Sequence, residues 1–210
     1  MKYKVIPSST IERLPMYLHC LMRLRDEGVT SVRSHTLAES CDRNAVQIRK
    51  DLSYFGEFGK RGVGYDVDSL ITHLSGILGV DEARRVAIIG YGKFGQAIAG
   101  YPGFDSRGFR IVAAFDTDPA KIGTDAGGFP VDSIADLERV LRDREVEICI
   151  MATPAEVTQE LADRAVAAGV KAVLNLAPVP LNVPEGVALR RVCLSADLQV
   201  LSYHLARSGL

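Results

Sequence analysis

The chain has 210 residues, of which 47% are hydrophobic and 24% charged, and its formal net charge is -1. That size suits one large or two small domains, with enough apolar residues for a true core. No apolar run approaches the ~18 residues of a membrane span. No signal-peptide pattern opens the chain, and Cys20, Cys41, Cys149 and Cys193 show no CxxC pair or metal-ligand spacing. A membrane protein, a disulfide scaffold and a metal site are therefore not expected, and a reducing cytoplasm is the expected compartment.

Charge is divided unevenly. Residues 1–80 carry +2 and the remainder -3, and from Arg43 to Arg61 five basic residues accompany two acidic ones. In chain order, Ser9-Thr10-Ile11-Glu12 has capping-box spacing, which predicts a helix running to about Gly28, with Pro15 kinking it or opening its longer part. A short extended piece follows at Val32. Ser34 is placed to cap a small helix through Leu37 and Ala38, and Cys41-Asp42-Arg43 has turn character. Asn44 is a favourable N-cap for a helix ending at Gly56, with Ile48, Leu52 and Phe55 on one face. Two short helices joined by such a turn make a helix-turn-helix. Phe58 to Tyr65 then places three glycines around Lys60 and Arg61, a narrow hairpin that reads as a wing. A helix over 68–78 closes the unit. On the 44–55 helix, Asn44, Gln47, Arg49, Lys50, Ser53 and Tyr54 are the candidates for contact with double-stranded DNA, because Gln, Arg and Lys suit base edges and phosphates. Lys60 and Arg61 at the wing tip are the candidates for the backbone or minor groove.

The character changes at Arg84. Val86-Ala87-Ile88-Ile89 is an unbroken buried-strand run that enters Gly90-Tyr91-Gly92-Lys93-Phe94-Gly95 and then a helix. A second run, 111–115, ends on Asp116, and further strands are expected at 147–151 and 172–174. Strands alternating with helices predict an α/β domain with a doubly wound parallel sheet of Rossmann type. A glycine fingerprint after a strand, with an acidic residue about twenty positions on, predicts a dinucleotide site. Gly90 would make the turn, Gly92 admit the pyrophosphate, Gly95 pack helix on strand, and Asp116 hold the ribose and favour NAD over NADP. Two loops at C-terminal strand ends, Ala152-Thr153-Pro154 and Asn175-Leu176-Ala177-Pro178, are expected to border the nicotinamide. A last helix is expected over 197–206.

An NAD-dependent oxidoreductase is the competing reading. It usually needs a proton donor beside the nicotinamide. Three of the four histidines (His19, His35, His73) precede the nucleotide domain, His204 lies in the final helix, and no tyrosine is followed by lysine four residues later. A binding role is better supported, so no catalytic residues are assigned. A DNA-binding protein that uses its nucleotide fold only as a dimer scaffold is a third reading, and response to NADH separates all three.

The string VQIRKDLSYFGEFGKRGVGY at 46–65 resembles the Rex family of bacterial redox-sensing repressors, and the likeness extends through Leu14-Pro15, 86–95, Tyr101-Pro102-Gly103-Phe104, Ala114-Phe115-Asp116, 175–179 and Leu198-Gln199. The resemblance implies a winged-helix DNA-binding domain over 1–80, a Rossmann NAD(H)-binding domain over 81–194, and a C-terminal helix over 195–210 exchanged in a homodimer. It implies operator binding when apo or NAD+-bound and release on NADH. It also implies cofactor contacts from 90–95, Tyr101, Asp116, 152–154, Asn175, Ala177 and Pro178. Family members usually carry Arg where this chain has His19 and Asp where it has Cys193, partners in a contact remade during switching. Both have changed together here, so the switch is expected to use different contacts at these positions, with Tyr101 as the pocket's mobile aromatic.

Overall fold

A computed structural model of the chain describes residues 6–60 and 64–208. The chain divides into two units, Met1–Glu82 and Ala83–Leu210.

The first unit holds helix α1 (Ser8–Asp26), strand β1 (Ser31–Val32), helices α2 (Ser34–Ser40) and α3 (Ala45–Leu52), strands β2 (Gly59–Lys60) and β3 (Gly64–Asp66), and helix α4 (Val67–Leu78). The three strands form an antiparallel sheet in the order β1-β3-β2. Buried positions on α1 (Leu14, Tyr17, Leu18, Leu21) and α4 (Val67, Leu70, Ile71, Leu74) recur every three or four residues, so the two helices present matched apolar stripes to one core. Helix-turn-helix and wing stand where expected, but several ends differ. The capping box at Ser9 lies inside α1, whose N-cap is Pro7. The helix continues through Pro15 at the loss of one backbone donor. Ser34 is the first helical residue of α2 and Arg33 the cap. Helix α3 stops at Leu52, so Ser53 and Tyr54 occupy the turn that follows.

The second unit continues with β4 (Arg84–Ile89), α5 (Lys93–Ala99), β5 (Phe109–Asp116), β6 (Val131–Ser133), α6 (Leu137–Asp143), β7 (Ile148–Met151), α7 (Ala155–Ala167), β8 (Ala172–Asn175), β9 (Ala188–Arg191) and α8 (Leu194–Ser208). Its six strands run in the order β6-β5-β4-β7-β8-β9, and every adjacent pair is parallel. Along β4, Val86 and Ile88 enter one core and Ala87 and Ile89 the other, which is why this strand reads as a continuous apolar run. The edge strands β6 and β9 are short and carry polar residues, so no such run announces them. The chain leaves β4 toward β5 on one side and later returns to β7 on the other, which puts the topological switch point between the ends of β4 and β7.

Helix α8 begins three residues before the expected start and is exposed along its length. Leu194, Leu198, Leu201 and Leu205 follow a four-three-four spacing down one face and are 57–65% exposed. Among the described residues no helix is long and apolar enough to cross a membrane.

Candidate functional site

The surface of α3 is set by its cap and its buried side. The Asn44 side chain accepts a hydrogen bond from the Val46 N–H (2.7 Å), and Ile48, Asp51 and Leu52 face inward. Asn44, Arg49, Lys50 and Ser53 are exposed, and Tyr54 is half-buried. The Arg49 guanidinium donates to Ser34 Oγ (2.9 Å), and Ser53 Oγ donates to the Lys50 carbonyl (2.7 Å). Between α3 and the β2–β3 hairpin lies an open groove of about 690 Å³, lined in part by Arg33, Ser34, His35, Arg49 and Ser53. Arg33 and His35, flanking the start of α2, were not anticipated, because only the groove shows that α2 and α3 share a cationic face. Of the wing residues, Lys60 lies on β2, and Arg61 falls outside the described residues.

Gln47 behaves otherwise. Its side chain donates to Asp51 Oδ1 (2.9 Å), drawing it toward the core. Asp51 is fully buried and also accepts from Thr10 Oγ1 (3.0 Å), Tyr17 Oη (2.8 Å) and two guanidinium nitrogens of Arg13 (2.6 and 2.8 Å). Burial alone would raise this carboxyl. The hydrogen bonds from Arg13, Tyr17, Gln47 and Thr10 outweigh it and hold the group at about 2. Asp51 therefore anchors α3 to α1.

In the second unit the glycines have distinct tasks. Gly90 sits at φ +99°, and a Cβ there would run into the Ala152 carbonyl. A Cβ on Gly95 would strike the Gly90 carbonyl and lie 3.3 Å from Ile88 Cγ2, so α5 packs directly on β4. Gly92, the N-cap of α5, faces open space at its Cβ position. Asp116 ends β5 and accepts from the backbone N–H groups of Tyr91 (3.0 Å) and Asp118 (2.9 Å) and from Lys121 Nζ (2.9 Å). Burial again pushes the carboxyl up, but these donors hold it below its ordinary value. A cavity of about 640 Å³ brings together Gly90, Gly92, Lys93, Asp116, Thr153 and Pro154, with Phe94 and Ala152 also on its walls. Its mouth lies at the switch point, and its charge pattern suits a dinucleotide. The open Cβ position of Gly92 leaves room for a pyrophosphate, and Asp116 supplies an acceptor beyond it.

The remaining candidates divide. The Tyr91 ring is buried in the core, leaving its backbone as the polar contributor. Asn175 is spent on its own loop, donating to the Val179 carbonyl (2.7 Å) and accepting from the Ala177 N–H (2.9 Å). Ala177 is buried. Pro178 joins Phe94, Leu176 and Cys193 around a smaller cavity of about 150 Å³. Hydrogen bonds from Ser195 and from the Ala196 N–H lower the Cys193 thiol below its ordinary value. Tyr101 lines a different cavity, of about 410 Å³, with its ring edge-on to Phe104 (5.1 Å between centroids) and its hydroxyl accepting from Arg107 (3.1 Å). His19 is exposed on α1. Among the described residues no group of three or more His, Cys, Asp or Glu could hold a metal ion.

Two family models match the chain: "CoA binding domain" over 81–179, and "Putative DNA-binding protein N-terminus" over 5–53. A redox-sensing transcriptional repressor Rex of Streptomyces coelicolor is 46% identical over 97% of this chain and 79% of its own. The Rex of Chloroflexus aurantiacus is 47% identical over 96% of this chain and 95% of its own. This chain belongs to the Rex family. Among solved structures, the Rex-family repressor RSP in complex with β-NAD+ and operator DNA superimposes with a TM-score of 0.91 at 37% identity, covering 98% of this chain and 95% of that one. RSP in complex with β-NADH gives 0.87 at 35% identity, covering 98% and 97%. The α/β architecture with an N-terminal winged helix is thus the Rex fold.

Proposed function

We propose that this Rex-family chain is a redox-sensing transcriptional repressor and not an enzyme. It binds operator DNA when apo or NAD+-bound and leaves it when NADH binds. The observation that carries this reading is the glycine cradle closing on Asp116 in a chain whose other unit is a winged helix with Arg49, Lys50 and Arg33 on its exposed side. The domain limits, the exchanged C-terminal helix, the cytoplasmic setting and the roles of individual site residues belong to the same proposal. Asn44, Gln47, Arg49, Lys50, Ser53, Tyr54, Lys60 and Arg61 contact the duplex, and Gln47 also braces Asp51.

The exposed leucine face of α8 supports a homodimer, since about 25 cal/mol per Å2 of apolar area favours covering it. A symmetric dimer presents two α3 helices to half-sites roughly 34 Å apart on B-DNA. NADH and NAD+ differ by a positive charge and by ring planarity. A ligand shifts a two-state equilibrium only through differential affinity. NADH binds the arrangement whose recognition helices miss the half-site spacing, and DNA is released without any base contact being touched.

The test is a fluorescence-anisotropy titration on a palindromic A·T-rich duplex. NADH raises the apparent Kd for DNA at least tenfold, NAD+ leaves it nearly unchanged, and coenzyme A, which shares the adenosine pyrophosphate half, has little effect. Occupancy indifferent to saturating NADH overturns the reading, and steady NADH oxidation with a carbonyl substrate supports the oxidoreductase instead. His19 and Cys193 are proposed to serve the switch in place of the family's Arg and Asp. Making His19→Arg and Cys193→Asp together is expected to change the NADH concentration needed for release. An unchanged midpoint in the same titration rejects that role.

A further inference from the structure

Two of the four cysteines meet inside the DNA-binding unit. Cys20, on the side of α1, donates from its sulfur to the Ser40 carbonyl (3.3 Å), one peptide unit from the Cα of Cys41. Cys41 is the C-cap of α2, only 6% exposed, and Cys20 packs half-buried against the same apolar cluster. Arg23 donates to the same Ser40 carbonyl (3.1 Å), which places a guanidinium beside the pair. The other two cysteines, Cys149 on β7 and Cys193 before α8, lie in the second unit.

We propose that Cys20 and Cys41 form a peroxide-reactive dithiol whose oxidation to an intramolecular disulfide disturbs the turn leading into α3. Cys20 is the attacking thiol because it is the more exposed of the two, and access governs which sulfur meets peroxide first. Its sulfur attacks hydrogen peroxide, the O–O bond breaks, and the departing hydroxide leaves as water with the thiol proton, giving a sulfenic acid. The Cys41 sulfur then attacks that of Cys20, the S–O bond breaks, and a second water leaves with the Cys41 proton. Two thiols lose two electrons, and one peroxide becomes two waters. Burial, and secondarily the neighbouring Cys20 sulfur, push the Cys41 thiol well above its ordinary range, against the pull of Arg23 and Arg43. Cys41 is therefore not the thiol that meets peroxide first, and its slower attack on the sulfenic acid relies on being intramolecular.

The location gives the bond its consequence. After Cys41 the chain passes through Asp42 in a left-handed conformation (φ +50°) to Asn44, the cap of α3. Drawing two sulfurs to about 2 Å fixes this turn against α1. The first turn of α3 must adjust to it.

The full chain, treated with hydrogen peroxide at neutral pH, is examined by intact mass, by peptide mapping after alkylation, and by operator anisotropy. Expected are the loss of two hydrogens, a peptide linking residues 20 and 41, and a rise of at least tenfold in Kd for DNA, reversed by dithiothreitol. Cys20→Ser, which keeps a donor for the Ser40 carbonyl, abolishes the linkage and the loss of affinity, and Cys20→Ala serves if the serine variant misfolds. Sulfinic acid at Cys20 with Cys41 still alkylated, a linkage through Cys149, Cys193 or a second chain, or unchanged affinity of the linked protein each overturns the proposal. Its DNA consequence rests on the function proposed above, but the mapping does not. A reduced protein that ignores operator defeats that function, while the mapped linkage still decides the chemistry.

Discussion

Arg13→Ala is expected to destabilise the DNA-binding unit by about 3–5 kcal/mol, because it leaves the buried Asp51 carboxylate without its cation. For a unit of this size that corresponds to a fall in melting temperature on the order of 12 °C or more. Asp51→Ala should do comparable damage by unpairing Arg13, Tyr17, Thr10 and Gln47 together. The double replacement Arg13→Met with Asp51→Leu is expected to recover only the part due to the unpaired charge, because the buried Tyr17 and Thr10 hydroxyls still lose their acceptor. Urea unfolding followed by circular dichroism measures all three, and single variants as stable as the parent refute the anchoring role. The pH dependence follows with a definite sign. Asp51 is held at about 2 in the folded chain, against an ordinary value of 3.8, so its contribution is fully present above pH 4 and is lost as pH falls toward 2. The parent should lose stability through that window more steeply than the apolar double variant.

The second large effect separates two glycines three positions apart. Gly92→Ala adds a methyl group to open space at an ordinary backbone conformation (φ -75°), so folding stability should stay within about 0.5 kcal/mol of the parent. The same methyl group stands where a pyrophosphate would approach the start of α5. NADH affinity should drop at least tenfold, about 1.4 kcal/mol. Operator binding persists, and its release requires at least tenfold more NADH. Gly95→Ala drives its methyl group into the Gly90 carbonyl, so it should lower the melting temperature first and NADH binding only as a consequence. Calorimetric NADH titration beside thermal melts distinguishes the two. An unaltered NADH affinity in Gly92→Ala would place the dinucleotide somewhere other than this cradle.

The two halves of the molecule were legible to different depths. The Asn44 cap, the turn at Cys41-Asp42-Arg43, the 86–89 run and the glycine fingerprint are local patterns, and each lies where its spacing placed it. The edge strands β6 and β9 were not legible, because a short strand with a polar face carries no periodic signal apart from the neighbour it pairs with. Tyr101 illustrates the same limit. Its motif marks it as functional, but its ring rests with Phe104 and Arg107 around a cavity other than the one beside Asp116.

Sequence alone determined the two kinds of unit, most of their elements apart from the edge strands β6 and β9, and the glycine turn of the cradle, because strand runs and glycine turns are decided within a few residues. Only tertiary structure decided which polar residues face inward. Asp51 reads as one more charge on a basic helix until Thr10, 41 positions earlier, and Arg13, 38 positions earlier, close around it. Gln47, a candidate for DNA contact on the same helix, also donates to Asp51 one turn on. The burial of a polar side chain depends on elements brought together from distant parts of the chain, and no local pattern encodes it.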